Sequence, residues 1–353
     1  MAKTPPRPVG RPHRIEVIAP EGLELIVRDE IRRLGSVARP ERDAPPGVIP
    51  MDYAGELRAL LGLRTAQSVY IVRAFPVPRP KALLGDEHFR AILALIERVR
   101  RLHPPGAFAT LFLSAAGAES AVLTRLKSEL AASTGLSVGA DDGDLLLRLR
   151  RAASGEGWEL LVRLSPRPLA TRPWRVCNRE GALNGAVAHA MALLTAPGPD
   201  DRFLNIGCGS GSLLIERLLA GPARRAFGCD IDPAALECAR ANVAAAGIAA
   251  RCELHPWDAT RLPLHDSSID AICADLPFGH LVGSHAENLT LYPAILAEAA
   301  RVARPGSHCV LLSHEVRLME RLLDGRPEWG LHSLLRIDLG GLHPRIFVLE
   351  RQA

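Results

Sequence analysis

Several features that mark membrane, secreted and metal-binding proteins are missing from this sequence of 353 residues. No stretch approaches the roughly 18 consecutive apolar residues of a membrane-spanning helix, so we expect no span. The cysteines all lie in the C-terminal half without Cys-x-x-Cys spacing, which predicts reduced thiols in a cytoplasmic protein, neither a disulfide framework nor a zinc site. No cluster of His, Cys and Asp indicates another metal, and His255, His280 and His314 are interpreted as polar residues of loops or core, not as ligands or bases.

Lysine is scarce as well, with only Lys3, Lys81 and Lys127, so arginine carries most of the basic charge. Residues 1–175 hold 27 Lys and Arg against 19 Asp and Glu, a net charge of +8, whereas residues 176–353 hold 16 against 20, a net charge of −4. The basic N-terminal half favours a polyanionic partner, since neutralised phosphates supply most sequence-independent affinity for nucleic acids. An alternative is a solvated surface whose arginines reflect genome composition.

An apolar strand runs through Ile272 into the four residues Asp275, Leu276, Pro277 and Phe278. A carboxylate and a backbone carbonyl can accept the two hydrogens of an exocyclic amine, while an aromatic face stacks on a planar base. The proline ring fixes the turn that presents these groups. Taken alone, the four residues are equally compatible with an ordinary turn at the end of a strand.

A glycine-rich turn lies upstream, after another apolar strand and before an amphipathic helix. Glycine occupies alternate positions there, at Gly207, Gly209 and Gly211. Alternate glycines let the backbone approach a ligand closely beside a helix N-terminus. The dinucleotide fingerprint requires a further glycine where this chain has Ser212, so a nicotinamide or flavin cofactor is disfavoured.

Two acids follow at the ends of the next predicted strands. Asp230 comes after the glycines at the spacing that lets a carboxylate reach ribose hydroxyls, and Asp258 could meet an adenine amine. The carboxyl ends of strands in an open α/β sheet lie along one edge, where such sheets bind ligands. The order of glycine turn, two acids and Asp275 therefore predicts a cofactor and a target side by side.

This order of motifs resembles the class I S-adenosylmethionine-dependent methyltransferases over residues 175–353. The resemblance implies a doubly wound α/β domain with a seven-stranded sheet, S-adenosylmethionine as cofactor, and a target amine at Asp275. Two positions depart from the family pattern. Asn205 stands where an acid is usual, and Leu276 stands where the first proline of the amine motif is usual. The Leu276 departure fits the Asp-x-Pro-Phe variant of guanine amine methyltransferases.

The N-terminal half resembles RNA-docking modules. The order of helices and strands over residues 81–172 is similar to a THUMP domain, an RNA-binding module of families that modify RNA. Residues 14–80 resemble the ferredoxin-like α+β unit that commonly precedes it. Residues 1–13, rich in proline and arginine, are predicted to be a disordered tail and not a signal peptide.

The join between the halves contains Gly181-Ala182-Leu183-Asn184. It resembles the Gly-Ala-Leu-Asn element that opens a helix in this family and helps to cover the cofactor. The alternative is a plain helix N-terminus capped by Asn178.

Together these resemblances imply methylation of the N2 amine of a guanine in RNA, most readily tRNA. Accepting the amine hydrogens on the Asp275 carboxylate and the Leu276 carbonyl would turn the nitrogen lone pair toward the methyl group, while Phe278 stacks on the base. The expected catalytic residues are Asp275, Leu276, Pro277 and Phe278, and the expected cofactor residues are Asn184, Asn205, Gly207, Gly209, Gly211, Asp230 and Asp258.

Neither a metal nor a membrane is expected to take part. Ribosomal RNA is an alternative substrate, because similar domain pairs serve both RNAs. Glutamine-amide and DNA-adenine methyltransferases share the amine-pocket chemistry, but the THUMP-like region argues against them. An alternative from another class is an RNA-binding protein that has kept the methyltransferase fold without catalysis.

Overall fold

A computed structural model describes residues 12–41, 43–152, 155–278 and 284–353. Most of the predicted N-terminal tail and His280 therefore lie outside the described residues. The chain divides into two compact units, one within Met1–Ala19 and Glu24–Leu169, the other within Pro20–Leu23 and Ala170–Ala353. Within the described ranges, no helix is both long and apolar enough to span a membrane.

The first unit is built on one mixed sheet of eight strands with helices packed against it. In sheet order the strands run β2-β3-β1-β4-β8-β7-β5-β6. The elements along the chain are β1 (His13–Ile18), α1 (Glu24–Arg32), β2 (Ala38–Pro40), β3 (Val48–Tyr53), α2 (Leu57–Leu60), β4 (Ser68–Phe75), α3 (Asp86–Arg100), β5 (Thr110–Ala115), α4 (Ala121–Thr134), β6 (Ser137–Val138), β7 (Leu145–Arg151) and β8 (Trp158–Arg163).

The core of this unit follows the periodicity of the sequence. In β1, Ile15 and Val17 lie on the same side of the strand and pack in the core, and Glu16 between them is buried on the other side, where it pairs with Arg150. In α3, Ile92, Ile96 and Val99 recur at helical spacing and pack against the same cluster. Strands β7 and β8 pair antiparallel and form a hairpin at the centre of this part of the sheet, between β4 and β5.

The pairing of β4 with β8 is the main feature that the sequence did not predict. These strands are antiparallel from Tyr70 opposite Arg163 to Phe75 opposite Trp158. They belong to the two predicted modules, residues 14–80 and 81–172, so one continuous sheet runs through both. The ferredoxin-like and THUMP-like assignments and their boundary stay predictions.

The second unit contains the predicted doubly wound, seven-stranded sheet, which is confirmed. Its strands run β11-β10-β9-β12-β13-β15-β14, and all neighbours are parallel except β15, which is antiparallel to both of its neighbours. The elements are α5 (Gly185–Leu194), β9 (Arg202–Ile206), α6 (Ser212–Ala220), β10 (Arg225–Cys229), α7 (Pro233–Ala245), β11 (Glu253–His255), β12 (Ile269–Asp275), α8 (His285–Val302), β13 (Ala303–Ser313), α9 (Val316–Asp324), β14 (Trp329–Arg336) and β15 (Arg345–Arg351).

The centre of this sheet positions the predicted site. Strand β12 lies between β9 and β13, and its residues Ala271–Ala274 are all buried, which explains the continuous apolar run in the sequence. The parallel strands β9, β10, β11 and β12 all end at the same edge of the sheet. Asp275 is the last residue of β12. The other predicted features come after the neighbouring strands: the glycine turn after β9, Asp230 after β10 and Asp258 after β11.

Candidate functional site

The glycine turn after β9 offers open backbone beside the start of α6. Gly207 and Gly209 have φ values of +56° and +53°, and a Cβ added at either would meet no atom within 4 Å. Gly211, with φ +84°, is the N-cap residue of α6. Positive φ makes glycine the favoured residue here, and the empty space above the backbone allows a ligand to approach it.

Asp230 lies directly against this turn. Its Oδ2 accepts a hydrogen bond from the backbone N–H of Gly209 at 2.8 Å, and its Oδ1 accepts one from the N–H of Asp232 at 3.0 Å. The turn is also tied to the end of β10, because the N–H of Cys208 donates to the carbonyl of Cys229. The two features that the sequence placed at neighbouring strand ends are therefore in contact.

Asp258 lies beyond the end of β11 and is exposed. Its Oδ1 accepts hydrogen bonds from the N–H of Thr260 at 2.8 Å and from the Thr260 hydroxyl at 2.7 Å. These bonds lower the pKa of the Asp258 carboxyl below its ordinary value. The rings of His255 and Trp257 stack beside it, 4.1 Å apart and nearly parallel. Asp258 is thus a fixed, ionised carboxylate at the sheet edge.

Asn205 has a different environment from the one expected of a cofactor ligand. It lies within β9 with no exposed surface. Its Nδ2 donates to the carbonyl of Cys273 at 3.1 Å, which joins β9 to β12, and its Oδ1 has no hydrogen-bond partner among the described residues. The structure encloses this side chain within the sheet, where it links two strands, and its expected role as a cofactor residue stays a prediction.

Asn184 is the N-cap of α5. Its Oδ1 accepts hydrogen bonds from the N–H groups of Ala186 at 2.9 Å and Val187 at 3.4 Å. The helix therefore begins at Gly185, and Asn178 lies well before it, so Asn178 is not the cap. The capping role of Asn184 explains why an asparagine closes the Gly-Ala-Leu-Asn element.

Residues 172–184, which we call the strap, run from the start of the second unit to α5. Arg175 in the strap donates from Nη2 to the Ser212 hydroxyl at 2.9 Å, at the start of α6. Asn242 on α7 holds the strap backbone, accepting from the N–H of Cys177 and donating to its carbonyl, each at 2.9 Å. Its Nδ2 also donates to the carbonyl of Ser210 in the glycine turn at 2.9 Å. The strap is thus bonded to the elements that form the glycine turn.

A disulfide between Cys177 and Cys238 also attaches the strap to α7. The expectation that all cysteines are reduced was wrong for these two. They are 61 residues apart in the sequence, and the path of the strap over α7 brings them together, which no cysteine spacing could indicate. Among the free thiols, burial raises the pKa of Cys229 to about 12, so it stays protonated.

Asp275 completes β12 at the same edge of the sheet. Its side chain is half-buried, and Oδ1 has no hydrogen-bond partner among the described residues. Burial raises the pKa of Asp275 to about 8. The next residue, Leu276, donates its N–H to the carbonyl of Leu312 at the end of β13, at 3.0 Å. A carboxyl group with a free acceptor position therefore stands on a backbone that is held in place.

Two buried side chains on α8 donate hydrogen bonds to the turn that follows Asp275. Neither was predicted from the sequence. The carbonyl of Pro277 accepts hydrogen bonds from Nδ2 of Asn288 at 3.0 Å and from the hydroxyl of Tyr292 at 2.8 Å. The ring of Phe278 contacts the ring of His314, with centroids 3.8 Å apart. The spacing of four between Asn288 and Tyr292, one helical turn, was a signal that could have identified them.

The described residues of the site therefore combine an open glycine turn, two acids and an acceptor carboxyl beside an aromatic ring. No group of three or more His, Cys, Asp or Glu side chains that could hold a metal occurs in the described part of the chain. The set is suited to binding an extended cofactor next to a planar base.

Comparisons with known proteins identify the family. Residues 172–345 match the UPF0020 family, described as RMKL-like, methyltransferase domain. The tRNA (guanine(6)-N(2))-methyltransferase THUMP3 of Mus musculus is 30% identical over 48% of this chain, and the chain spans only 36% of that protein's length. The tRNA (guanine(6)-N2)-methyltransferase of Thermus thermophilus is 30% identical over 96% of this chain and 99% of its own length.

The fold agrees over the same length. The crystal structure of TrmN from Thermus thermophilus matches with a TM-score of 0.74 and 27% identity, covering 96% of this chain and 99% of that one. Because a relative is similar along its entire length in both sequence and structure, the chain belongs to the family of tRNA guanine-N2 methyltransferases.

Proposed function

We propose that this protein transfers a methyl group from S-adenosylmethionine to the exocyclic N2 amine of a guanine in tRNA. The observation that carries the proposal is the Asp275 carboxyl, half-buried at the end of β12, whose Oδ1 has no donor among the described residues. A buried acceptor without a partner is costly, so it indicates a site that a ligand completes. The names of the Thermus and mouse relatives support the same substrate.

The residues at the glycine turn fit S-adenosylmethionine. Gly207 and Gly209 leave open space above the backbone for the amino-acid end of the cofactor, and Asp230 stands beside them for the ribose hydroxyls. Asp258, ionised at the next strand end, would accept the adenine amine. Asn184 would act by fixing the start of α5 over this region. When bound, the cofactor supplies an electrophilic methyl group on a sulfonium.

The acceptor residues would align the amine and take its proton. The Asp275 carboxylate and the Leu276 carbonyl accept the two amine hydrogens, which directs the nitrogen lone pair away from the base ring. Formation of the nitrogen–methyl bond would break the sulfur–methyl bond and leave a neutral thioether. The nitrogen would then lose one of its protons, and a carboxyl group with a pKa of about 8 is suited to receive it. Phe278 would stack on the guanine after the base has left its helix.

The first unit would dock the RNA. The net charge of +8 over residues 1–175 supports a polyanionic partner, and the THUMP-like order of elements supports RNA in particular. The Thermus relative, aligned over 96% of this chain, is named for guanine 6, whereas a relative from Methanothermobacter thermautotrophicus, aligned over 41%, is named for guanine 10. We therefore propose guanine 6 of tRNA as the target. The cytoplasmic location stays a prediction.

A methylation assay with nucleoside analysis tests the proposal. The purified protein, S-adenosylmethionine and unmodified tRNA should yield N2-methylguanosine at position 6, and ribosomal RNA should yield none. The Asp275→Ala variant should bind the cofactor in calorimetry and transfer no methyl group. Methylation by this variant at the normal rate would refute the role of Asp275. Failure of the unaltered protein to bind the cofactor would indicate an inactive RNA-binding protein instead.

A further inference from the structure

A small network of buried hydrogen bonds holds the turn after β12, residues 276–278. Asn288 and Tyr292 lie one turn apart on α8, and neither has exposed surface. Both donate to the same atom, the carbonyl oxygen of Pro277. Two side-chain donors that converge on one backbone carbonyl restrict the rotation of the peptide that follows it.

The geometry of that peptide determines where Phe278 lies. The ring of Pro277 fixes its φ angle, so ψ is the remaining backbone freedom between the two residues. Because ψ turns the Pro277 carbonyl, the bonds from Asn288 and Tyr292 also fix ψ. The direction in which the chain carries Phe278 is then set by α8.

The Tyr292 hydroxyl also joins this turn to the end of the next strand. It lies 3.1 Å from the hydroxyl of Ser313, the last residue of β13. Since its single hydrogen is donated to Pro277, the hydroxyl of Ser313 must be the donor in that pair, so the two bonds form a chain. His314, next to Ser313, contacts the Phe278 ring.

The hydroxyl of Tyr292 remains a donor at physiological pH. Burial raises the pKa of Tyr292 to about 12, so the group keeps its proton. The chain Ser313–Tyr292–Pro277 is therefore intact over the pH range in which an amine could be methylated.

We propose that Tyr292 and Asn288 are positioning residues for methyl transfer, which hold the Pro277–Phe278 peptide and thereby align the Phe278 ring with the Asp275 carboxyl. This inference rests on the proposed acceptor role of Asp275 and Phe278. It assigns no substrate contact to α8. Misplacement of an acceptor by a fraction of an ångström slows transfer without changing cofactor binding, because the glycine turn lies at other strand ends.

The test compares Tyr292→Phe with a matched control, Tyr53→Phe. Tyr53 is also buried, and its hydroxyl also donates to a backbone carbonyl, that of Glu56 at 3.1 Å, in the first unit. In single-turnover assays at saturating tRNA and cofactor, Tyr292→Phe should lower the rate about 10- to 100-fold. Its cofactor dissociation constant should stay within twofold of the original, and Tyr53→Phe should keep the full rate.

A second variant, Asn288→Leu, removes the other donor at similar volume and should lower the same rate with the same unchanged cofactor affinity. It keeps the inference testable if Tyr292→Phe does not fold. Full single-turnover rates in folded Tyr292→Phe or Asn288→Leu, alongside an inactive Asp275→Ala, would overturn the positioning role alone. An active Asp275→Ala would instead overturn the acceptor role and this inference with it. Parallel losses of stability and cofactor affinity, with the rate unchanged, would mean a structural role only.

Discussion

The Nε of Arg172 donates to Oε1 of Glu216 over 2.8 Å, at a place where both side chains are almost completely buried. Nδ1 of His189 lies 2.8 Å from the other oxygen of the same carboxylate. Arg172 begins the strap, His189 lies on α5 and Glu216 on α6. One buried carboxylate therefore links the strap, α5 and α6, the helix that follows the glycine turn.

Replacement of Glu216 by Gln should lower the free energy of unfolding by about 3 kcal/mol, because it removes the negative charge from a buried ion pair with Arg172. Urea unfolding measures the change. The matched control is Glu253→Gln, which removes an exposed partner of Arg225 and should cost less than about 1 kcal/mol. Equal effects of the two variants would contradict the importance of the buried pair.

Activity should rise with pH through the pKa of Asp275. Burial raises that pKa to about 8, so below this pH the carboxyl is mostly protonated and cannot accept both an amine hydrogen and the released proton. We expect kcat/KM for tRNA to increase from pH 6 and to level off above pH 8, since this ratio reports ionisation in the free enzyme. A flat profile between pH 6 and pH 9 would exclude Asp275 as the titrating group.

Substitution of Gly207 by Ala should weaken binding of S-adenosylmethionine at least tenfold. Its Cβ would project into the open space that we assign to the cofactor, and φ of +56° adds a cost of about 1 kcal/mol in stability. Gly247→Ala is the control, because Gly247 has φ +69° and equally open surroundings at the end of α7. Calorimetry should show the original affinity for that control. Similar losses in both variants would indicate strain and not a cofactor contact.

Loss of the Cys177–Cys238 disulfide should destabilise the second unit. The bond closes a loop of 61 residues, for which chain entropy allows up to about 4 kcal/mol. The variant Cys177→Ser should therefore unfold at lower urea than the oxidised protein and should no longer respond to a dithiol reductant. Cys252→Ser, at a half-buried free thiol, should change little. A reductant-insensitive midpoint in the unaltered protein would show that the bond is not formed in solution.

The sequence predicted the parts of the site that depend on order along the chain. Parallel strands end at one edge of the sheet, and the residue type at each strand end was recognisable in the sequence. This was enough to predict that the alternating glycines, Asp230 and Asp275 lie along the same edge. The burial of Asn205 within the sheet could not be predicted, since the environment of a strand residue depends on which strands lie beside it. Likewise, the pairing of Cys177 with Cys238 and the reach of Tyr292 to Pro277 depend on tertiary packing between distant segments.

The continuous sheet of the first unit has a consequence for how that unit can be divided. Backbone hydrogen bonds between β4 and β8 connect residues on both sides of the predicted boundary at residue 80. A protein cut there would expose two long strand edges whose N–H and C=O groups are paired in the intact chain. Such edges pair readily with other chains and favour aggregation. The first unit should therefore fold and unfold cooperatively, and a recombined gene should keep both parts of it together.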